Sequence, residues 1–492
     1  MAPHPITPEI ESYERKTGFL LPSDFSAEPH SLHIYSITAT EKRKEESSAS
    51  LLLSTAQLQK HPLAGICYTV HMLSLDFIRQ HPEIVREGLR RRCDSQSIDD
   101  ILRLAEQRRG LVTRCDGLYN ELKPVREQVR TAPIAERIEP NKRVKAITRD
   151  IRQLEQQIND IDTRLQPMLL SLPNIPHKSV HQGKSEADDH EVRRWGEPMP
   201  FHFQPQAHWT LGERLQLIDF EAGTRIAGSR FVVLKGAGAR LERALISFML
   251  DLHIREHGYT EILPPALVKR STMVGAGKLP KFESQMYTCP EDDLYLNPTA
   301  EVPLVGLHSD SILPTDTLPL RYVAWTTAFR REAGSASSQT RGLLRLHQFN
   351  KVELFQLVAP QDSYAAFDEL VQHAEKVLQR LDLHYRVVAL CTASLPFAAT
   401  KAFDLEVWMP GQDRYVEISS ISNCEAFQAR RANIKYHSDN SSRAEYVHTL
   451  NASGLAVGRT MAALLESYQQ ADGSIIIPKV LRPYLSVSSL SK

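Results

Sequence analysis

Arg330, Arg331 and Glu332 open the stretch FRREAGSASSQTRGLLRLHQF (Phe329 to Phe349), which closes on Arg341, Arg345, His347 and Phe349. Two cationic clusters held apart by small residues, with an aromatic ring at the end, suit a ligand rich in phosphate, because guanidinium forks pair well with phosphate oxygens. The same residues also suit an ordinary charged hairpin, which is the default reading. Three further stretches carry groups able to do chemistry. YLNPTAEVPL offers Thr299 and Glu301 near a turn, RYVEISSISN ends a strand with Glu417 and hydroxyls, and LNASGLAVGRTMAALLE passes a glycine-containing loop into a helix with Arg459 near its start. Taken singly, each has a plain structural reading as a helix cap, an exposed strand charge or a surface arginine.

Other short motifs fail on inspection. RFVVLKGAGARLERAL has Leu241 where a dinucleotide fingerprint needs its third glycine, and no strand–helix–strand unit follows. GAGKL lacks both the first glycine and the hydroxyl of a phosphate loop, with Thr272 and Leu279 in those places. HIREH (His253 to His257) has the spacing of an inverted zinc-peptidase motif. It ends a helix that turns at Gly258, where histidines also sit well against the helix dipole.

At 492 residues the chain exceeds one core, so two or more domains are expected. With 42% hydrophobic and 24% charged residues and a net charge of +0, it reads as globular and soluble. Neutrality does not exclude a nucleic-acid partner, since a local basic stripe suffices. No apolar run approaches the roughly 18 residues of a membrane helix. The six cysteines form no CxxC pair, which argues for free thiols in a reducing cytoplasm and against a structural zinc site.

Residues 1–71 mix Pro, Ser and Thr with a charge run (EKRKEE) and lack periodicity, so they are expected to be mostly disordered. Nothing in them resembles a signal peptide, and their acidic residues argue against a transit peptide. MLSLDFIRQHPEIV from Met72 reads like a protein start, so this segment is either an extension or a mis-assigned start. Residues 72–180 form the next expected domain. Val144, Ile147, Ile151, Leu154, Ile158, Ile161, Leu165 and Met168 alternate spacings of three and four, as do Leu111, Cys115, Leu118, Leu122, Val125 and Val129. The polar turn Thr131 to Pro140 between them requires an antiparallel helical hairpin, each arm roughly 45 Å long over about 30 residues. Pro124 should kink the first helix or shift its register. Arg126, Arg130, Arg137, Lys142, Arg143, Lys145 and Arg149 gather toward the tip. By charge alone a solvated coiled-coil surface is the better reading, although a basic arm also suits an RNA backbone.

Residues 181–492 form the last expected domain, and from about Arg193 onward the pattern changes to short β-rich segments between helices. Expected strands are Arg230–Leu234, Leu320–Phe329, Lys351–Val358, His384–Leu390, Phe403–Met409 and Arg414–Ser420, and expected helices are Leu241–His257 and Ala366–Leu381. Alternating apolar and polar residues predict an α+β domain on an antiparallel sheet.

Together, SRFVVLKG, LPKF, NPTAEVPL, FRREAGS with TRGLLRLHQF, DLEVW, EISSISN with FQARR, and LNASGLAVGRT followed by PKVLRPYL resemble one family in order, spacing and wording. It is the bacterial-type seryl-tRNA synthetases, of the class II aminoacyl-tRNA synthetases, and the resemblance runs from about Met72 to Leu485. It implies a class II antiparallel-sheet catalytic domain preceded by a two-helix coiled-coil arm that grips serine tRNA. It also implies activation of L-serine by ATP to seryl-adenylate, transfer to the 3′ end of serine tRNA (selenocysteine tRNA being a further candidate), and a cytoplasmic homodimer with no membrane association. A specialised paralogue and a non-catalytic RNA-binding descendant are the alternatives.

Carried over by position, the resemblance implies that Arg330 serves the α-phosphate, Glu332 assists ATP binding and Arg459 holds the γ-phosphate. Phe349 stacks on adenine, and Arg331, Ile418 and Ser419 complete the ATP set. Glu417 and Ser420 are the implied ligands of Mg²⁺ bound with ATP. Thr299, Ala300, Glu301, Glu353 and Ser453 are the implied serine site. The middle of the arginine stretch is expected to order against the tRNA acceptor end, and Gly258, Tyr259 and Pro265 resemble the family's dimer element. The chain departs from the family in LQLIDFEAG, in the proline of NELKPVREQ, and in LPFAATKAFDLE, which lacks the usual glycines.

Overall fold

The computed structural model describes residues 74–333, 341–437 and 443–492, all within the unit His61–Lys492. The expectations for residues 1–71 and for the GSASSQT middle of the arginine stretch lie outside the described residues.

Two short helices come first, α1 (Leu75–Gln80) and α2 (Pro82–Arg91). The Ser74 hydroxyl caps α1 by accepting the Phe77 amide at 3.0 Å, and Pro82 pre-sets the first turn of α2. The two long helices are α3 (Asp99–Thr131) and α4 (Ile138–Ser171), joined through a single 3₁₀ turn at Ile134–Glu136. Cys115, Leu122 and Val125 of α3 are buried against Ile147, Ile151, Leu154 and Ile158 of α4, as the heptad spacing requires. The helix runs unbroken through Pro124, which faces solvent, and the buried stripe continues on both sides. The expected shift of register therefore does not occur. Polar links reinforce the seam: Tyr119 Oη donates to Glu155 at 2.7 Å, and Arg108 pairs with Asp162 at 2.7 Å.

The remaining chain builds an eight-stranded sheet. Its strands are β1 (His190–Trp195), β2 (Thr260–Glu261), β3 (Leu320–Phe329), β4 (Gln348–Val358), β5 (Tyr385–Ala389), β6 (Lys401–Met409), β7 (Arg414–Glu425) and β8 (His448–Ala456). The order across the sheet is β1-β5-β6-β7-β8-β4-β3-β2, antiparallel except where β2 pairs with β3. β3 and β4 are a hairpin in register from Phe329↔Gln348 to Leu320↔Leu357. One expected strand is much shorter than predicted. Of Arg230–Leu234 only Val233–Leu234 pairs, with Ile218–Asp219. Arg230 takes a left-handed φ of +61°, which no strand accommodates, and Phe231 presses its carbonyl against Gly223.

Three helices cover one face: α5 (Ala237–His257), α6 (Ser363–Arg380) and α7 (Val457–Ser467). Leu245, Met249, Phe367 and Leu378 pack there on Val352, Leu354, Leu405 and Leu450. The opposite face buries Phe355 and Leu357 of β4 under Val302 and Leu304. Side chains alternate along a strand, so Phe349, Lys351 and Glu353 share that second face, beyond the end of its apolar cover. Among the described residues no helix is long and apolar enough to cross a membrane.

Candidate active site

A cavity of about 510 Å³ opens over this uncovered part of the sheet, reached by β3, β4, β7, β8, the start of α7 and the turn before Glu301. Two bulges re-aim its side chains. Plain alternation would put Glu417 and Ser420, three residues apart, on opposite faces. Ile418 has no partner between Leu405↔Ser419 and Glu406↔Glu417, and that extra residue brings both onto the cavity. On β8 Gly454 is likewise passed over between Val352↔Leu455 and Glu353↔Ser453.

At one end stand two buried carboxylates. Glu301 opens the short helix Glu301–Gly306, pairs with Lys278 at 2.8 Å and accepts from Gln428 at 2.6 Å. The Gln428 carbonyl is itself fixed by the Thr449 hydroxyl at 2.7 Å. Burial pushes the Glu301 carboxyl up, but Lys278, Lys351 and the Gln428 hydrogen bond together hold it below its ordinary value. Glu353 is fully enclosed, salt-bridged to Lys351 and bonded by Thr299 Oγ1 at 3.2 Å and Asn451 Nδ2 at 3.3 Å. Burial raises Glu353 and lowers Lys351, and each partner's charge opposes that drift. Three donors and no acceptor converge on this carboxylate, which favours its ionised form.

At the other end are the cations. Arg330 leaves β3 with its Nε on Pro298 O at 3.2 Å and its guanidinium 5.2 Å from the Phe349 ring centre. Burial lowers its pKa, against the opposing charge of Glu332. Glu332, held at a left-handed φ of +47°, pairs with Arg345 at 2.5 Å. Arg459, in the first turn of α7, donates to Leu344 O at 3.1 Å and Glu417 O at 2.6 Å, with the Glu417 carboxylate 3.4 Å away. The segment under these groups is anchored by His208, wholly buried, with Nδ1 on Glu466 at 2.7 Å and Nε2 accepting the Leu343 amide at 3.0 Å. Gly342 allows this approach: it sits at φ +78°, and a Cβ there would collide with His208.

Thr299, Glu301, Arg330, Glu332, Phe349, Glu417, Ile418, Ser420, Ser453 and Arg459 all line the one cavity. Ala300 lies in the core beneath, and Glu353 sits behind Lys351 and Thr299. Ser419 turns its hydroxyl onto Ser453 O at 2.6 Å, and Arg331 lies over the Tyr287 ring at 5.3 Å, outside the cavity wall. Sequence reasoning missed Lys278, Lys351 and Asn451. Lys351 was findable, two residues from both Phe349 and Glu353 on one strand face. Lys278 and Asn451 meet their carboxylates only through the fold.

Glu417 and Ser420 present oxygen donors only, as a hard cation such as Mg²⁺ prefers. Beside them Asp404, opposite Ser420 in register, has a buried Oδ1 with no hydrogen-bond partner among the described residues. Burial, with the Glu417 charge, raises this carboxyl well above the ordinary range. His253 and His257 belong elsewhere. Their Nδ1 atoms are 2.9 Å apart, His257 stacks on His373 at 4.1 Å, and Tyr259 bonds His373 at 3.1 Å. Among the described residues no group of three His, Cys, Asp or Glu could hold a metal ion.

Residues 72–176 match the family profile of the seryl-tRNA synthetase N-terminal domain, and residues 282–468 that of the class II tRNA synthetase core domain for G, H, P, S and T. The serine–tRNA ligase of Geobacillus kaustophilus is 51% identical over 417 residues, covering 84% of this chain and 98% of that protein. That of Thermoanaerobacter pseudethanolicus is 49% identical over 428 residues, covering 86% and 100%. In three dimensions the Pyrococcus horikoshii seryl-tRNA synthetase complexed with ATP superposes with a TM-score of 0.79 at 35% identity, over 85% of this chain and 99% of that one. The Naegleria fowleri cytoplasmic enzyme in complex with AMP gives 0.75 at 28%, over 86% and 99%. With half the residues shared along nearly the full length of such relatives, the chain belongs to the seryl-tRNA synthetase family, within the class II aminoacyl-tRNA synthetases.

Proposed function

We propose that this chain is a serine–tRNA ligase whose activating chemistry takes place across the cavity described above. The observation that carries the reading is the pairing, in one cavity, of two buried carboxylates at one end with two arginines and an aromatic ring at the other. Glu301 suits the ammonium of L-serine. Thr299, Ser453 and the enclosed Glu353, with its partners Lys351 and Asn451, suit the polar remainder. A pocket of buried, hydrogen-bonding groups rejects alanine, which would leave them unpaired. Phe349 suits stacking on adenine, and Arg459 suits the outer phosphate of ATP. Arg330, beside Phe349 at the cationic end, is suited to the α-phosphate, where a fixed guanidinium stabilises charge growing on the α-phosphoryl oxygens.

In the first step a serine carboxylate oxygen bonds to the α-phosphorus and the bond to pyrophosphate breaks, giving seryl-adenylate. The ribose hydroxyl at the tRNA 3′ end then attacks the seryl carbonyl and AMP leaves. No side chain need become a covalent nucleophile. Arg330 and Arg459 hold the phosphates in line, while Glu301 and Lys278 fix the amino-acid end. Glu417 and Ser420 are the residues that would hold Mg²⁺, which supplies neutralisation of the phosphate charge when bound with ATP. The chain divides, on this reading, into a tRNA-binding helical arm at 72–180 and a catalytic domain at 181–492, and it works in the cytoplasm.

The test is serine-dependent exchange of pyrophosphate into ATP, followed by charging of serine tRNA. No exchange would overturn the reading. A homodimer is part of the proposal. Leu263 is 82% exposed beside Pro265 on the element that follows Tyr259, where a second copy would cover it. Sedimentation showing a monomer at micromolar concentration would refute this.

A further inference from the structure

Between β5 and β6 runs the loop Leu395–Ala399, whose Pro396, Phe397, Ala398 and Ala399 form one wall of the cavity that also holds Lys278 and Glu301. Ala398 lies 3.7 Å from where a Cβ of Gly277, the neighbour of Lys278, would stand. Phe397 packs edge-on against Phe282 at 5.8 Å and Phe427 at 5.5 Å. The loop contains no glycine, and its backbone carbonyls need partners because a buried acceptor without one is costly.

Those partners come from outside the sheet. Asn174, just past the end of α4, is 1% exposed. Its amide donates to Phe397 O at 2.9 Å, and its Nδ2 donates to Ala398 O at 2.8 Å and Cys424 O at 3.0 Å. Its own carbonyl accepts Arg92 Nε at 2.5 Å, just past the end of α2. The Arg92 guanidinium then donates to Leu395 O at 3.0 Å, to Pro396 O at 3.3 Å and to Ala399 O. Two residues at the root of the helical hairpin thus bond all five consecutive carbonyls of this loop.

We propose that Asn174 and Arg92 are positioning residues for the amino-acid pocket: they set the wall that limits the room around a serine held at Glu301. The inference rests on reading the Lys278–Glu301 end as the serine end. Neither side chain touches substrate. Each acts through the loop, so its loss widens or misplaces the pocket, while neither bonds Arg330, Phe349 or Arg459 at the phosphate end. The hairpin root is in this sense part of the serine site as well as the base of the arm.

The experiment measures serine and ATP KM separately in pyrophosphate exchange, using the full chain with Asn174→Ala and Arg92→Lys. Asn174→Ala removes two donors, and Arg92→Lys keeps the charge but loses the fork. Each variant should raise serine KM about tenfold and leave ATP KM within about twofold. Asn174→Asp, which turns a carboxylate toward two carbonyls, should be worse than Asn174→Ala. Arg92→Lys is the milder change and keeps the test open should Asn174→Ala fail to fold. Unchanged serine KM with only a lower active fraction would mean that the two residues merely hold the fold together, and would overturn the proposal. So would equal rises in both KM values. Absence of exchange in the unmutated chain would instead overturn the reading of the site itself.

Discussion

Arg330→Ala is the sharpest test of the site, because activity and stability should part company. Among the described residues the guanidinium makes one hydrogen bond, Nε to Pro298 O at 3.2 Å, and lies 5.2 Å from the Phe349 ring. Burial depresses its pKa, so its surroundings already disfavour the charge. Losing that bond costs about 1 kcal/mol, and relieving the enclosed charge offsets part of it, so unfolding stability should change by no more than about 1 kcal/mol. Removing a fixed donor from the developing charge costs far more, about 3–4 kcal/mol in the barrier, or about 10²–10³ in rate. Serine-dependent pyrophosphate exchange and a urea melt on the same preparation give both numbers. Arg330→Lys keeps a cation without the planar fork and should recover only part of the loss. If Arg330→Ala kept more than about a tenth of the exchange rate, the role assigned to it would be wrong. The same holds if activity fell only in step with the folded fraction.

Glu353→Ala leaves the Lys351 cation buried without its partner and should cost about 3–5 kcal/mol in a urea melt, with much of it recovered when Lys351→Met is added. A single-variant loss below about 1 kcal/mol would deny that the pair is buried and ionised. His253 is depressed to about 3 by burial and by His257 beside it, from an ordinary 6.5. The unfolded chain therefore binds the proton first, and stability contributed by neutral His253 is lost as pH falls from 6.5 toward about 3. His253→Gln should flatten that slope, and an unaltered slope would refute it. Replacing Arg126, Arg130, Arg143 and Arg149 with Gln should leave exchange intact while weakening tRNA charging and its salt dependence. Unchanged charging would remove the arm tip from the tRNA surface.

The long elements are legible in the sequence because their signals are local. Leu320–Phe329 forms as expected, since one face of an antiparallel strand meets apolar neighbours and the alternation records it. The hairpin seam is legible for the same reason at helical spacing. Arg230–Leu234 misled because its β-branched run is pinned against Gly223 and starts at a left-handed residue, both features of packing. Arg331 and Arg330 are adjacent and chemically alike, yet one lies over Tyr287 and the other in the cavity. Neighbours at the end of a strand point to opposite sides.

Family, helical arm, antiparallel sheet and most of the residues that meet in the cavity can be read from the chain alone. These follow from periodicity and from long motifs that survive as runs of adjacent residues. Tertiary structure decided which of those residues share a face and what holds them. The bulge at Ile418 brings Glu417 and Ser420 together, and Lys278 reaches Glu301 only through folding. Asn174 and Arg92 hold a loop more than two hundred positions away. The physical reason is that hydrogen bonds and ion pairs act over a few ångströms of space, and sequence separation is a poor guide to which groups come that close.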